Sequence, residues 1–521
     1  MENPQFNHLR VERSTTRKVA GVSARGVVTS QHYVAAEAGA AVLREGGNAV
    51  DAAVTAAFTL QTVEPWMTSL AACGYMLVAQ PDGTVETIEF TGRVPSSFDT
   101  VFYRPDPCIK TFIGHPASVE NRNVDGFTAA VVPGCVRGFA QALKRHGTIR
   151  FDAALAPAIE RARQGLVVDW HTTLAIAIAA SDLAKDEGAR SVFLPDGFPP
   201  EPGTILPLTA LAQTLETLAN EGPDALYGGS IGTQLIADMQ TGGSFMTLED
   251  LAAYEPLIYR ARSMTLQDKT VHVAGETSAG QRLFDALSFF DQKRGVGPVD
   301  ADFFTTMSQA LWESFSAHRR RLNPAETTNK TSTTQVNAVD SEGRMVAITF
   351  TLLNRFGARA LSPSTGILLN NGMSWFDPTP GRANSLTPNA YAPSNMCPVV
   401  VTDANGTFAA YGAAGGNQIV PSLAQLTGMI VHAGMDIEEA MNTPRMTTGP
   451  HSDIIVNVDM PAEYIEALAK IAKVRPAAQV VFPRPFAAPG MIGRRGDSFV
   501  GMPDTTYPAA YAATVETQSL S

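Results

Sequence analysis

Two adjacent threonines, Thr333 and Thr334, open a stretch of alternating apolar residues deep inside a chain of 521 residues. If the peptide bond between Ser332 and Thr333 were cut, Thr333 would hold a free amine within reach of its own hydroxyl. One residue would then carry both a nucleophile and its general base, which is how an N-terminal threonine is activated. The same doublet is also an ordinary opening for a β-strand, since threonine favours strands and its hydroxyl bonds locally.

The residues after the doublet predict the hairpin that would hold this nucleophile. The segments VNAVD and MVAITFTLL are rich in β-branched and apolar residues, and Ser341 to Arg344 between them contain the glycine of a turn. Because the second strand of such a hairpin runs back beside the first, the end of the second strand is expected near Thr333. The polar run 323–333 has the composition of an exposed, cleavable linker.

Helix and strand patterns alternate along the rest of the chain. Residues 32–47 and 48–61 predict two Ala-rich helices, the second with Asn48 as its N-cap. Residues 73–90 predict a hairpin around a Pro-Asp-Gly turn, and residues 126–294 are mainly helical in pattern. These proportions predict a layered α/β fold.

Composition and charge exclude several classes of function. The chain is 45% hydrophobic and 17% charged, which is typical of a well-packed globular protein. A net charge of -11, with no basic cluster beyond Arg319 to Arg321, argues against a nucleic-acid partner. The N-terminus lacks the apolar core of a signal peptide and no later run reaches a membrane-spanning length, so the sequence predicts a cytoplasmic chain with no membrane partner.

Cysteines and histidines give no sign of a metal or disulfide framework. The four cysteines are far apart in the sequence and form no CxxC pair, which favours reduced thiols. The nine histidines form no HExxH-like cluster, and no glycine-rich nucleotide-binding motif is present. We therefore expect neither a metal nor another cofactor.

Blocks spread over nearly the whole chain resemble the γ-glutamyltranspeptidase family. In chain order they are REGGNAVDAAVTAAFTLQTVEPWMTSL, VVPGCVRGFAQALKRHG, MTLEDLAAYEP, STGILLNNGM, SNMCPVV and YGAAGGNQIV. The small subunit of that family begins with a Thr-Thr strand, as the stretch from Thr333 would after cleavage. The resemblance implies the four-layer αββα sandwich of the N-terminal nucleophile hydrolases.

The resemblance also implies how the chain is divided. Cleavage between Ser332 and Thr333 would give a large subunit of residues 1–332 and a small subunit of residues 333–521. Both subunits would contribute strands to one core, so they are expected to stay associated. Further dimerisation of these heterodimers is expected as well.

Four residues take catalytic roles by this resemblance. Thr333 would attack the substrate amide, and the hydroxyl of Thr351 would support it. The N–H groups of Gly415 and Gly416 would form the oxyanion hole, for which glycine is suited because the backbone can approach the substrate closely. Without the resemblance, the two glycines fit a simple turn equally well and Thr351 is an unremarkable strand residue.

The residues expected to hold a γ-glutamyl group differ from the family pattern. Where the family has Asn-Asn-Gln-x-x-Asp, this chain has Gly372 in place of the Gln and Trp375 in place of the Asp. A substrate ammonium would thereby lose a charge-assisted bond. The family's Ser-Ser pair is Ser394 and Asn395 here, and Arg93 lies two residues beyond the ungapped position of the family's substrate-binding Arg.

These losses predict a substrate with a carboxylate and no ammonium. Arg93, Arg355 and Arg359 are candidate partners for the carboxylate through bidentate contacts, with surface ion pairing as the alternative for each. Asn354 opens the run NRFGAR that carries two of these arginines and lies just after Thr351, so it is a further candidate contact.

The stretch NNGMSWFDPTPG also resembles the branch of the family that includes oxamate amidohydrolase. Oxamate has one carboxylate, one amide and no amine. The predicted function is therefore an autoprocessed amidohydrolase acting on a small, oxamate-like amide through an acyl-threonine ester. Two alternatives remain open: a γ-glutamyl hydrolase or transpeptidase acting on glutathione-like compounds, and a catalytically degenerate scaffold.

Overall fold

A computed structural model describes residues 18–111, 113–322, 331–449 and 453–516, so most of the predicted linker, residues 323–330, lies outside the described residues. Its strands are β1 (Gly21–Ser23), β2 (Gly26–Ser30), β3 (Cys73–Ala79), β4 (Val85–Phe90), β5 (Pro105–Lys110), β6 (Pro116–Ser118), β7 (Leu166–Val167), β8 (Ile205–Leu206), β9 (Leu257–Arg260), β10 (Arg262–Leu266), β11 (Lys269–Val273), β12 (Thr331–Asp340), β13 (Met345–Asn354), β14 (Val399–Asp403), β15 (Gly406–Ala414), β16 (Met446–Thr447), β17 (Ile454–Asn457), β18 (Val474–Ala477), β19 (Ala488–Arg495), β20 (Ser498–Met502) and β21 (Tyr511–Thr514).

The α-helices of the described residues are α1 (Tyr33–Arg44), α2 (Ala49–Val63), α3 (Cys135–His146), α4 (Phe151–Gln164), α5 (Trp170–Leu183), α6 (Glu187–Phe193), α7 (Thr209–Glu221), α8 (Ser230–Thr241), α9 (Leu248–Ala252), α10 (Gly280–Lys293), α11 (Ala301–Leu322), α12 (Ile419–Thr427), α13 (Ile437–Asn442) and α14 (Ala462–Ala469). None of the described helices is both long and apolar enough to cross a membrane.

Two antiparallel sheets of seven strands form the centre of the fold. The first has the order β21-β2-β12-β13-β3-β4-β9, and the second has the order β1-β20-β19-β15-β14-β11-β10. Helices including α2, α3 and α4 pack on the outer face of the first sheet, against residues such as Val336 and Ile348. Helices α10 to α14 pack on the second sheet, and Leu77 and Ile492 belong to a third core between the sheets. The predicted αββα sandwich is confirmed.

Strands from both sides of the proposed cleavage point interleave in the first sheet. Strand β12 pairs with β2, and β13 pairs with β3, so strands from the two parts of the chain are direct neighbours. The second sheet also mixes them, since β11 pairs with β14. Separation of the two parts would therefore break backbone ladders in both sheets and expose the apolar core.

Helix α2 is fixed at its N-terminus to the hairpin that carries the threonines. The side chain of Asn48 accepts from the N–H groups of Val50 and Asp51, and Asp51 accepts in return from the Asn48 N–H at 2.9 Å, as the predicted N-cap requires. At the end of β12, Asp340 accepts from the Ala49 N–H at 3.0 Å. The helix is thereby aligned with the hairpin, and the loop after its C-terminus reaches the start of β12.

Candidate active site

The proposed scissile bond lies inside strand β12. Ser332 and Thr333 are 1% and 4% exposed, so the expectation of an exposed linker does not hold for the bond itself. Strand pairing with β13 already begins at Thr331, and the register shifts so that Thr333 lies opposite both Thr351 and Leu352. Such a shift in register changes the direction of nearby side chains, and here it brings the side chains of Thr333 and Thr351 together.

Two hydroxyl groups converge on one carbonyl oxygen at this point. The Thr333 hydroxyl donates to the Ser332 carbonyl oxygen at 2.7 Å, and the Thr351 hydroxyl donates to the same oxygen. The Leu353 N–H in turn donates to the Thr351 hydroxyl oxygen at 2.8 Å and fixes its direction. Leu353 has a φ of +82°, a backbone conformation that is rare for a bulky residue and is often found at functional sites.

The loop after helix α2 contacts the side chain of Ser332. The Ser332 hydroxyl donates to the Trp66 carbonyl oxygen at 2.7 Å and lies 2.7 Å from the Met67 sulfur. Backbone bonds from Phe356 to Trp66 and from Leu352 to Met67 tie the same loop to the end of the hairpin. Trp66 and Met67 are thus direct neighbours of the proposed cleavage point, which the sequence patterns did not show.

Glu64 is a fully buried carboxyl group at the C-terminus of helix α2. Burial raises the pKa of Glu64 to about 7, and the positive charge of Arg484 offsets part of that shift. The Trp66 indole N–H donates to the Tyr507 hydroxyl oxygen at 3.3 Å. Glu64 and Tyr507 come from opposite ends of the sequence, so no local pattern could have indicated this pair.

Gly415 and Gly416 form the turn between strand β15 and the short helical segment before α12. Their φ angles are +142° and +56°, which favour glycine, and a Cβ on Gly415 would lie 2.9 Å from the Ala487 Cα. Within the described residues, neither amide N–H donates a hydrogen bond. Two amides without a protein partner at the start of a helical segment are suited to bind a developing oxyanion.

Asn395 is connected to this glycine turn. Its side-chain amide donates to the Asn417 side-chain oxygen at 2.8 Å, and its own oxygen accepts from Arg282 at 2.7 Å. Asn417 directly follows Gly416, so the hydrogen bond from Asn395 to Asn417 helps to fix the position of the glycine turn. The structure therefore places Asn395 next to the predicted oxyanion hole.

Ser394 lies beside a second buried carboxyl group that the sequence analysis did not identify. Its hydroxyl donates to the Tyr75 hydroxyl at 3.3 Å, and its N–H donates to the Thr277 carbonyl oxygen at 2.7 Å. Glu89 pairs across the strands with Tyr75, and its two oxygens accept from the hydroxyls of Thr277 and Tyr259. Burial raises the pKa of Glu89, and both of its oxygens are already occupied by hydroxyl donors.

The guanidinium groups of Arg93 and Arg359 are engaged with other parts of the protein. Arg93 donates to the carbonyl oxygens of Asp250 at 3.0 Å and Ala253 at 3.4 Å. Arg359 forms an ion pair with Asp125. None of these partners belongs to the group around Thr333, so the structure does not bring these two arginines into the site.

Arg355 differs from the other two candidate arginines. Within the described residues its guanidinium has no ion pair and no hydrogen bond, and its Cζ lies 4.9 Å from the centre of the Phe482 ring. Burial lowers the pKa of Arg355, and the positive charge of Arg484 lowers it further. Arg484 itself stacks on Tyr507, with its Cζ 4.7 Å from the ring centre.

The remaining predicted contacts are buried around the end of β13. The Asn354 N–H donates to the Asn371 side-chain oxygen at 3.0 Å. A Cβ on Gly372 would lie 2.3 Å from a Val131 methyl group, which leaves no room for a side chain. Trp375 is 5% exposed and belongs to the core between the sheets. The two residues that replace the family's Gln and Asp therefore contribute packing and no polar side chain.

The αββα sandwich, with the Thr333 hydroxyl bonded to the preceding carbonyl in a central strand, fits the class of N-terminal nucleophile hydrolases. The sequence profile described as gamma-glutamyltranspeptidase matches residues 35–323 and 305–514. The chain belongs to the gamma-glutamyltranspeptidase family, and the predicted membership is confirmed.

Individual relatives agree with this assignment. The chain is 32% identical over 478 residues to the Acylase ACY 1 proenzyme of Pseudomonas sp. (strain SE83), covering 84% of this chain and 85% of that protein. It is 29% identical over 474 residues to the Glutathione hydrolase proenzyme of Escherichia coli (strain K12), covering 81% and 80% respectively. The crystal structure of cephalosporin acylase from Bacillus halodurans superposes with a TM-score of 0.84 at 21% identity, covering 99% of this chain and 100% of that one, which shows the shared fold.

Proposed function

We propose that the chain cuts itself between Ser332 and Thr333 and then hydrolyses amides through an ester on Thr333. The observation that carries this proposal is the convergence of the Thr333 and Thr351 hydroxyls on the Ser332 carbonyl oxygen. The names of the relatives support it, because both the acylase and the glutathione hydrolase are described as proenzymes. The subunits 1–332 and 333–521 would stay associated, since their strands interleave in both sheets.

The self-cleavage follows from the contacts of the uncut chain. The Thr333 oxygen attacks the Ser332 carbonyl carbon, and the hydrogen bond from Thr351 stabilises the charge on the carbonyl oxygen. The Thr333 nitrogen leaves with the hydroxyl proton and becomes a free amine, while Ser332 remains as an ester. Water then hydrolyses that ester and releases the Ser332 carboxylate.

Turnover repeats the same chemistry on an external amide. The free amine of Thr333 accepts the hydroxyl proton as the oxygen attacks the substrate carbonyl, and the amides of Gly415 and Gly416 bind the oxyanion. The proton passes to the departing nitrogen, and an acyl ester remains on Thr333. Water resolves this ester and completes hydrolysis.

The substrate we propose is a small amide whose acyl part carries a carboxylate and no ammonium. The support comes from Gly372 and Trp375, which are packed into apolar surroundings where an ammonium group would need polar partners. Oxamate is the smallest amide with this charge pattern. Similarity to an acylase is compatible with a substrate that has no γ-glutamyl group.

Hydrolysis of γ-glutamyl compounds remains the second candidate, because a glutathione hydrolase is among the relatives. The buried Glu89 is connected to Ser394 through Thr277, but its oxygens already accept from the Thr277 and Tyr259 hydroxyls. The third candidate, an inactive scaffold, has less support because the threonine pair and the glycine turn are intact.

One experiment separates these three candidates. The purified protein is assayed for ammonia release from oxamate and for aniline release from a γ-glutamyl anilide, with the Thr333→Ala variant as the control. The proposal predicts ammonia release that the variant lacks. Activity on the γ-glutamyl anilide alone would favour the second candidate, and an uncut chain without any amidase activity would favour the scaffold.

A further inference from the structure

A cavity separate from the candidate active site lies in the helical layer on the first sheet. Its volume is about 210 Å³. Its walls come from the end of helix α2 and the loop after it, helix α6, the start of helix α7 and the segment 361–368. None of the four predicted catalytic residues lines it, namely Thr333, Thr351, Gly415 and Gly416. The cavity is therefore not part of the site at Thr333.

The lining of this cavity is mainly apolar and carries no charge. Its apolar walls include four leucines, Leu208, Leu211, Leu361 and Leu368, and no charged side chain is among the described residues that line it. A dry apolar cavity of about 150 Å³ can bind benzene, so this larger cavity has room for a bicyclic molecule. A charged occupant would lose its hydration without gaining a counter-charge, which favours a neutral one.

One residue of the lining has a polar atom without a partner. Gln61 is 2% exposed, and within the described residues its side-chain oxygen accepts no hydrogen bond. Its side-chain N–H donates to the Cys135 sulfur at 3.7 Å, while the Cys135 thiol donates to the carbonyl oxygens of Ser69 and Leu70. Because the amide nitrogen is held by Cys135, the oxygen is left for the cavity. A buried acceptor without a donor costs free energy, so a ligand that supplies a donor is favoured.

The cavity opens to solvent and lies between the two parts of the chain that cleavage would separate. Ser191, Pro207 and Thr209 line it and are exposed, so they form its rim. The segment 361–368 belongs to the proposed small subunit, whereas the other walls belong to the proposed large subunit. A molecule bound there would enter from solvent and contact both parts of the chain.

We infer that this cavity binds a small neutral molecule with an apolar body and one hydrogen-bond donor, which donates to the side-chain oxygen of Gln61. Indole represents this class, because it is an apolar bicyclic ring with a single N–H donor. Benzofuran has nearly the same shape and carries an oxygen in place of the N–H. This inference goes beyond the proposed function, because it assigns a ligand to a site that takes no part in the chemistry at Thr333.

Calorimetric titration of the purified full-length protein with indole and with benzofuran tests this inference. Indole should bind to the wild type at one site. Gln61→Met keeps the length of the side chain and removes the acceptor, so the bound indole N–H would be buried without a partner. The indole affinity should then fall by about 5- to 100-fold, while the benzofuran affinity should be kept or should rise. An unchanged indole affinity, or an equal loss for both ligands, would overturn the inference.

A variant at the rim tests the location of the site and does not depend on the folding of Gln61→Met. Ser191→Trp places an indole side chain at the entrance and should weaken both ligands. The matched control is Ser230→Trp, which changes an exposed serine at the start of helix α8, outside the lining, and should leave both affinities unchanged.

The outcomes separate this inference from the proposed function. Absence of indole binding to the wild type, or wild-type affinity for both ligands in Ser191→Trp, would overturn the inference and leave amide hydrolysis by Thr333 in place. Conversely, indole binding that depends on Gln61 and Ser191 would support the cavity site even in a protein without amidase activity.

Discussion

The hydroxyl of Thr351 donates a hydrogen bond to the carbonyl oxygen of Ser332, the residue before the proposed nucleophile. This contact places a donor where negative charge would develop during the proposed self-cleavage. The glycine turn offers separate candidate donors, because its amides have no partner among the described residues. Under the proposed mechanism, maturation and turnover would therefore depend on different oxyanion donors.

Replacement of Thr351 by Val should slow maturation more than it slows turnover. Loss of one preorganised oxyanion donor typically costs about 10²- to 10³-fold in rate. The fraction of cut chain is followed over time by gel after expression at low temperature. Thr351→Ser keeps the hydroxyl and should mature at close to the wild-type rate, so equal slowing of both variants would contradict the role of the hydroxyl.

Replacement of Gly415 by Ala should lower turnover and stability together. The added Cβ would lie 2.9 Å from the Ala487 Cα, at a φ of +142° that alanine tolerates poorly. The turn must shift, and with it the amides that are proposed to bind the oxyanion. The measurements are kcat and the midpoint of thermal unfolding.

Gly434→Ala is the control for backbone strain alone. Gly434 also has a positive φ, +64°, but open space surrounds the site of its missing Cβ. It should lose about 1 kcal/mol of stability and keep its turnover. Equal loss of activity in both variants would show that the close approach at Gly415 has no special role.

The buried carboxyl group of Glu64 should make stability depend on pH. Its folded-state pKa, about 7, lies above the ordinary value of 4.5, so the folded state holds the proton more tightly. The stabilising effect of this proton is complete below about pH 4.5 and is lost as the pH rises through about 7, with a size of about 3 kcal/mol. Glu64→Gln removes the titration.

Denaturant unfolding at pH 5 and pH 8 measures this effect in the uncut Thr333→Ala background, where every sample is a single chain. Relative to its parent, Glu64→Gln should be more stable at pH 8 than at pH 5. A constant difference between the two proteins at both pH values would show that Glu64 does not titrate in this range.

Much of the fold was predictable because the relevant signals are local. Apolar alternation and a glycine turn predicted the hairpin of β12 and β13, and Asn48 predicted the start of helix α2. The burial of Ser332 was not predictable, because polar residues next to a threonine doublet have the composition of a linker. The strand extends back to Thr331 since its backbone pairs with Asn354, a contact between residues far apart in sequence.

The site was predictable only where a family pattern supplied it. Thr333, Thr351 and the glycine turn came from the resemblance, and the structure brings the two threonines together. Tyr507 and Arg484 escaped the sequence analysis because they come from the C-terminal part of the chain and are brought to Trp66 by tertiary packing. Side-chain type alone also could not distinguish Arg355 from Arg359, which has an acidic partner.

Intact-mass spectrometry of the purified wild-type protein and of Thr333→Ala tests the central claim most directly. Self-cleavage by Thr333 predicts two chains for the wild type, with the smaller one beginning at Thr333, and one uncut chain without amidase activity for the variant. A wild-type protein that remains a single chain and still hydrolyses amides, or a Thr333→Ala protein that is cut at the same bond, would contradict it.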